Sequence, residues 1–199
     1  LGLRGTDPFL EDCVQALLNQ DYPCYDVRVV VDHRADPAWQ VMERLIREQR
    51  ATHVHHRPLA ERRDTCSLKC SSVVQAIRAL DDSFQVVALL DADTVPHRTW
   101  LRELVSPLDK PEVAISYGNR WFMPAEPSLG SMVRSAWHAA AVVQMVCFKI
   151  PWGGTLAIKR SIIDQAGLLE HWERAFCEDT MLYGVLKQHG WQQVFVPSL

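Results

Sequence analysis

Asp91 and Asp93 stand one residue apart, directly after the apolar run "VVALL". Two carboxylates at that spacing on a turn offer hard oxygen ligands to one divalent cation, and Mg²⁺ and Mn²⁺ share such ligands with substrate phosphates. A cation held there stabilises charge building on a departing phosphate. Aspartates also follow strands for turn and capping reasons, so the pair is informative only together with its neighbours. Asp32 closes another β-branched run, "VRVVVD". Lys69 precedes the pair in sequence, and its ammonium could meet a diphosphate or a carboxylate, or simply solvate a helix. Glu178 and Asp179 follow an apolar-aromatic segment at what reads as a helix start. A carboxylate there can act as general base on a hydroxyl, or answer the positive end of the helix.

The elements that must position these groups alternate along the chain. "DPFLEDCVQALLNQ" reads as a helix with Asp7 as cap and Pro8 in the first turn. "DVRVVV" is a strand, and "DPAWQVMERLIREQR" a second helix capped by Asp36. "THVHHR", "FQVVALL" and "EVAISYGN" are further strands. They are separated by helices over "SLKCSSVVQAIRAL" and "PHRTWLRELVSPL". This rhythm predicts α/β architecture, a doubly wound and mostly parallel sheet in a single domain. In such sheets ligands bind beyond the carboxyl ends of the strands, where Asp32, Asp91 and Asp93 all fall. The second half reads as a long helix over "GSMVRSAWHAAAVVQMVCF", a Gly-Gly turn leading into "TLAIKR", and a short helix and turn over "SIIDQAGLL". A helix over "FCEDTMLYGVLKQHG", with Glu178 and Asp179 at its start, and a last strand "WQQVFVP" complete it.

The 199 residues carry a formal charge of -3 and no basic stripe with stacking aromatics, so nucleic acid is not expected as a partner. Six scattered cysteines read as reduced thiols of a cytoplasm-facing protein, not as a disulfide framework. Cys66 and Cys70 could share a helix face, but no second pair completes a zinc site. No apolar run reaches the roughly 18 residues that a membrane span requires, and no signal peptide is visible.

The order of the motifs is more specific than any one of them. "RGTDP…LNQDYP", "DHRADPA", "LK", "DAD", "FKIPWGGTLAIKRSIIDQAG", "CEDT" and "HGWQQVFVP" resemble, over nearly the whole chain, the inverting GT-A glycosyltransferases. Cellulose and hyaluronan synthases belong to that family, and the resemblance is closest to its ceramide glucosyltransferase-like branch. It implies a GT-A fold with a nucleotide-sugar-binding half at about 1–118 and an acceptor and catalytic half at about 119–199. The implied reaction is transfer of a hexose, with inversion, from a nucleotide sugar such as a UDP-hexose to a lipid, polyprenyl or glycan hydroxyl. A polysaccharide-type acceptor, or a non-catalytic module that binds nucleotide sugar, is the alternative. A nucleotidyltransferase on a similar sheet would announce a Gly-rich basic loop, and "LGLRGTDP" offers only Arg4 and two glycines.

The resemblance also implies roles. Asp32, Lys69 and Asp91 would bind the donor, and Asp91 and Asp93 would hold Mg²⁺ or Mn²⁺. Asp179 would be the general base, with Glu178 beside it. Trp152, Gly154 and Thr155 would lie under the acceptor. Trp121, Phe122, Trp137 and Trp152 either line an acceptor groove or pack in the core. The branch is membrane-anchored, so the full-length protein is expected at a membrane through segments outside this chain, its catalytic domain facing the cytoplasm. "SAWHAAAVVQMVCF" is expected to face the bilayer. A first strand ahead of "LGL" and a (Q/R)-x-x-R-W motif after the last strand are expected of the family, so the chain is expected to be truncated at both ends.

Overall fold

A computed structural model describes residues 1–122, 124 and 126–199. Its elements run β1 (Gly2–Leu3), α1 (Leu10–Leu18), β2 (Val27–Val31), α2 (Pro37–Gln49), β3 (Val54–Pro58), α3 (Leu68–Arg78), β4 (Val86–Leu90) and α4 (Trp100–Val105). A 3₁₀ turn over Ser106–Asp109 extends α4. Then follow β5 (Val113–Tyr117), α5 (Leu129–Phe148), β6 (Thr155–Lys159), α6 (Arg160–Gln165), α7 (Leu168–Trp172), α8 (Leu182–Gln188) and β7 (Gln192–Phe195).

Strands β1, β2 and β3 form one parallel sheet. The others form a second sheet in the order β4-β6-β5-β7. The strand pairing is mostly parallel, as expected, with one exception: β6 runs antiparallel to both β4 and β5, while β5 and β7 are parallel. The long α5 intervenes between β5 and β6, and the chain re-enters the sheet at the end where β5 leaves it. This reversal has a functional consequence. Thr155, the first residue of β6, pairs with Leu90, the last of β4, and Leu156 pairs with Tyr117, the last of β5. The turn that feeds β6 therefore sits at the carboxyl ends of its neighbours, against Asp91.

Within "LGL", Gly2 and Leu3 pair in parallel with Val30 and Val31, so a short strand stands ahead of α1. Side chains alternate across the strands into two core layers. Val27, Val29 and Val31 of β2 pack with α1 and α2 in a layer that includes Leu90 and Ala157. Val87, Leu89, Leu156 and Ile158 pack on the other face with α3, α7 and α8.

Two local features hold the loops that carry the site. Asp36 caps α2, as its position before Pro37 predicts, accepting from Ala38 N–H at 2.8 Å. It is buried, and its two oxygens also accept Gly5 N–H at 3.0 and 2.9 Å, tying the β1–α1 loop to α2. Asp7 caps differently from expectation: it accepts Phe9 N–H in a turn ahead of α1, which begins only at Leu10. Between β1–β2 and β4 lies a cavity of about 890 Å³, lined by Leu1, Gly2, Val27, Val86 and Leu90 among others.

Asp36→Ala removes a cap and strands Gly5 N–H, so unfolding by urea should show a loss of about 2 kcal/mol or more.

Candidate functional site

At the carboxyl end of β4 the chain turns through Asp91, whose N–H donates to Gly154 O at 3.2 Å and whose carbonyl accepts Thr94 N–H at 3.1 Å. Lys69 reaches this turn from the first turn of α3, where Ser67 caps the helix by accepting Cys70 N–H at 3.1 Å. Its Nζ lies 2.5 Å from Asp91 Oδ1 and 2.5 Å from Glu178 Oε1, so one ammonium joins two carboxylates from distant parts of the chain. The Asp91 contact is a hydrogen bond. Glu178 is buried, at 2% exposure, and is the most secluded charge of the group. Its Oε1 meets Lys69 as an ion pair.

Burial works to lower the Lys69 pKa, and the Glu178 and Asp91 carboxylates more than offset it, raising it above the ordinary lysine value. A raised pKa keeps this cation charged. Its contribution to stability is complete below the ordinary lysine value and is lost only as pH climbs through the raised one. Neighbouring thiols are not nucleophiles at neutral pH. Burial pushes Cys13, whose Sγ lies 3.9 Å from Asp91 O, up to about 12, and pushes Cys70 up to about 11.

Glu178 and Asp179 were expected in the first turn of a helix. Instead α8 begins at Leu182, and both residues lie in the segment before it. Each is held there by a specific contact. The buried Trp172 Nε1 donates to Glu178 O at 2.8 Å, and Asp179 Oδ2 accepts Gly153 N–H at 2.8 Å. The two carboxylates therefore face the β6 turn, not the α8 dipole.

The Gly153-Gly154 turn is glycine for reasons of space, since neither residue adopts the left-handed conformation. A Cβ on Gly153 would fall inside the Glu178 carboxylate, 2.7 Å from Cδ. One on Gly154 would enter the Trp152 ring and come within 2.5 Å of Asp91 Oδ2. Thr155, expected near an acceptor, is buried, and its hydroxyl turns onto Gly154 O at 2.9 Å, so its role here is structural. Trp152 is half-buried over Gly154.

Asp93 is exposed, and its Oδ2 pairs with Arg120 at 2.5 Å. The Arg120 guanidinium also stacks over Trp152 at 5.2 Å and Phe122 at 5.1 Å. Arg120 escapes a reading based on carboxylate spacing. Its only sequence signal is its place just past the end of "EVAISYGN", at the same end of the sheet. Asp32 stands at the end of β2, its N–H donating to Leu3 O and its carboxylate 3.5 Å from Arg4. Asp32, His33 and Asp36 offer ligand atoms within 4.8 Å of one another. The Asp36 oxygens are already taken by backbone N–H groups, which makes this cluster a poorer cation site than Asp91 and Asp93. Trp121 and Trp137 are exposed, at 56% and 79%, so neither packs in the core.

Comparison with known proteins identifies the family and the fold. The family described as "Glycosyl transferase family 21" matches residues 2–199. A stretch of 46 residues, 23% of this chain and 9% of the other, is 39% identical to a ceramide glucosyltransferase of Komagataella phaffii. Among solved structures, the mannosyltransferase PcManGT of Pyrobaculum calidifontis, in complex with GDP-Man and Mn²⁺, superposes with a TM-score of 0.72 at 20% identity. The match covers 98% of this chain and 53% of that one. S. aureus TarS 1-349 superposes with a TM-score of 0.64 at 12% identity, over 99% of this chain and 59% of that one. At those identities the likeness establishes the fold, the GT-A glycosyltransferase architecture. The chain spans little more than half the length of these two solved relatives.

The space argument at the glycine turn is testable. Gly153→Ala must displace a buried carboxylate, and chemical denaturation should show a loss of about 1–3 kcal/mol. Gly184→Ala, inside α8 with open space around it, should instead be neutral or gain up to about 1 kcal/mol. Equal effects of the two would show that the turn is not built around Glu178.

Proposed function

The chain belongs to glycosyl transferase family 21, and on that premise we propose that it carries the catalytic site for moving a hexose from a nucleotide sugar, UDP-linked, to a lipid-type or polyprenyl hydroxyl with inversion. The observation that carries the reading is the convergence of Asp91, Lys69, Glu178 and Asp179 on the glycine turn ahead of β6.

The donor set suits a hard divalent cation. Asp91 and Asp93 present carboxylate oxygens on one turn, and each already has a single cationic partner, Lys69 and Arg120 respectively. Asp91 and Asp93 would hold Mg²⁺ or Mn²⁺, which when bound supplies neutralisation of charge on the leaving diphosphate. Lys69 adds fixed positive charge beside that position, and Asp32, at the end of β2, would meet the base or ribose. Asp179 is half-buried and uses one oxygen on Gly153 N–H, which orients the carboxylate and leaves a second oxygen for the acceptor. In the displacement, the acceptor hydroxyl gives its proton to Asp179 as its oxygen bonds to the anomeric carbon. The bond from that carbon to the diphosphate oxygen breaks on the opposite side, and the nucleoside diphosphate departs. Glu178, buried against Lys69, acts as a positioning residue, and Trp152 offers a ring face to the acceptor.

The full-length protein is proposed to sit at a membrane with this domain facing the cytoplasm, since its acceptor is lipid-type. Calorimetric titration of UDP and of GDP, each with and without Mn²⁺, tests the donor site. UDP should bind more tightly with the metal, and an Asp91→Asn, Asp93→Asn variant should lose at least tenfold in affinity, about 1.4 kcal/mol. Preference for GDP would replace the UDP assignment. Absence of binding by a chain that melts cooperatively would overturn the donor site. For the base, Asp179→Asn should keep nucleotide affinity while transfer falls by at least a hundredfold.

A further inference from the structure

Each carboxylate of the Asp91–Asp93 turn carries one cation, and the two cations are not alike. Lys69 is enclosed between Asp91 and the buried Glu178. Arg120 reaches Asp93 from just past the end of β5, its Nη1 2.5 Å from Oδ2. A solvent-facing pair alone stabilises a fold little, yet this guanidinium is also fixed by ring faces. It lies over Trp152 at 5.2 Å and over Phe122 at 5.1 Å. The segment behind it is braced in turn. Asn119, which is buried, shares a hydrogen bond of 2.9 Å with His138 of α5, and the His138 ring meets Phe122 edge-on. Helix α5 gives this segment its polar side, while Met132, Trp137 and Val143 face outward.

Among the described residues the guanidinium donates to Asp93 alone, which leaves most of its N–H groups without a protein partner. Stacking on aromatic rings sets the plane of the fork without using its donors. A planar fork with spare donors, held beside a turn suited to a divalent cation, matches a phosphate group, which it meets through two parallel N–H···O bonds.

The charge balance points the same way. Asp91, Asp93, Glu178 and Asp179 stand against Lys69 and Arg120 alone. With a divalent cation on the turn this set is neutral. Without Arg120 it would stay negative and repel a diphosphate.

Topology indicates which phosphate. Asp32 follows β2, the Asp91–Asp93 turn follows β4, and Arg120 follows β5, which lies beyond β4 and β6 in the second sheet. Seen from Asp32, the arginine therefore stands on the far side of the turn. A nucleotide with its nucleoside at Asp32 and its diphosphate on the turn presents its distal phosphate, the one that carries the sugar, to Arg120. Resting on the glycosyltransferase reading, we propose that Arg120 is a donor-binding residue that clamps this distal phosphate, and that Phe122 and Trp152 are the residues that position it. The phosphate it meets is the one that gathers charge as the sugar leaves.

The test is calorimetric titration of UDP and of UMP, with Mn²⁺ present, into the chain and into its Arg120→Gln and Arg120→Lys variants. Arg120→Gln should weaken UDP about tenfold or more, the worth of a charge-assisted hydrogen bond, and weaken UMP by less than about threefold. Arg120→Lys keeps the charge and loses the fork, so its UDP affinity should fall between those of the other two. Thermal melts of both variants should stay cooperative; if that of Arg120→Gln does not, the loss of UDP over UMP in Arg120→Lys supplies the same comparison. Undiminished UDP affinity in a folded variant would overturn the proposal. So would an equal loss for UDP and UMP, which would make Arg120 a partner of Asp93 only. A gain in affinity would overturn it as well, by making Arg120 a competitor for Asp93. Failure of the donor reading looks different: the unaltered chain would then bind neither nucleotide, and the proposal would fall with it.

Discussion

A single ammonium group organises the end of the fold where β4 and β5 finish and β6 begins. Lys69 comes from α3, Asp91 from the end of β4, and Glu178 from the segment ahead of α8. Glu178 is almost fully buried, and a buried carboxylate is tolerable only with a counter-charge. Lys69 is that counter-charge, and it is itself held by the two carboxylates it serves. The arrangement settles where three separately folded elements stand relative to one another. It leaves Asp179, the next residue, with no cationic partner among the described residues and with the backbone of Gly153 as its anchor. Two adjacent carboxylates thus acquire different environments: one sealed against a cation, the other half-buried on a backbone N–H.

The glycine turn is the geometric counterpart of that electrostatic centre. Because β6 runs antiparallel between β4 and β5, the turn entering it is delivered to the carboxyl ends of both strands. Asp91 then donates its N–H to Gly154, and Glu178 fills the space where a Gly153 side chain would stand. A parallel β6 would put this turn at the opposite end of the sheet, and the four charged groups would not meet. The topological irregularity and the chemistry are one feature.

Much of this was legible in sequence, for physical reasons. β-Branched runs such as "VRVVV" and "VVALL" declare strands whose ends carry the aspartates, and the Asp36-Pro37 pair declares a helix start that the structure reproduces. Periodicity locates elements but not their direction in a sheet, so the reversal of β6 was not readable. The same limit hid the two-residue β1, too short for any pattern. Glu178 and Asp179 were found, but the helix they were expected to open starts later, because tertiary contacts from Trp172 and Gly153 override the local helical pattern. The space requirement at Gly153 and Gly154 and the pairing of Arg120 with Asp93 come from segments distant in sequence, which no local spacing encodes.

Helix α5 extends the same lesson to the surface. Its composition is that of a helix destined for burial, and composition alone cannot say which side is turned inward. The fold decides this through polar anchors: His138 on Asn119, and the backbone of Met145 and Lys149 on Tyr117 and Gln193. These anchors satisfy polar groups on the inner side and thereby commit the apolar side to the outside. In water that commitment is unfavourable, since each exposed large side chain forgoes about 1.5–3 kcal/mol of burial. Two of these anchors, Tyr117 and Asn119, belong to the same 117–122 segment that presents Arg120 to Asp93, so contacts that orient the helix and the contact that borders the site lie on one short stretch of chain.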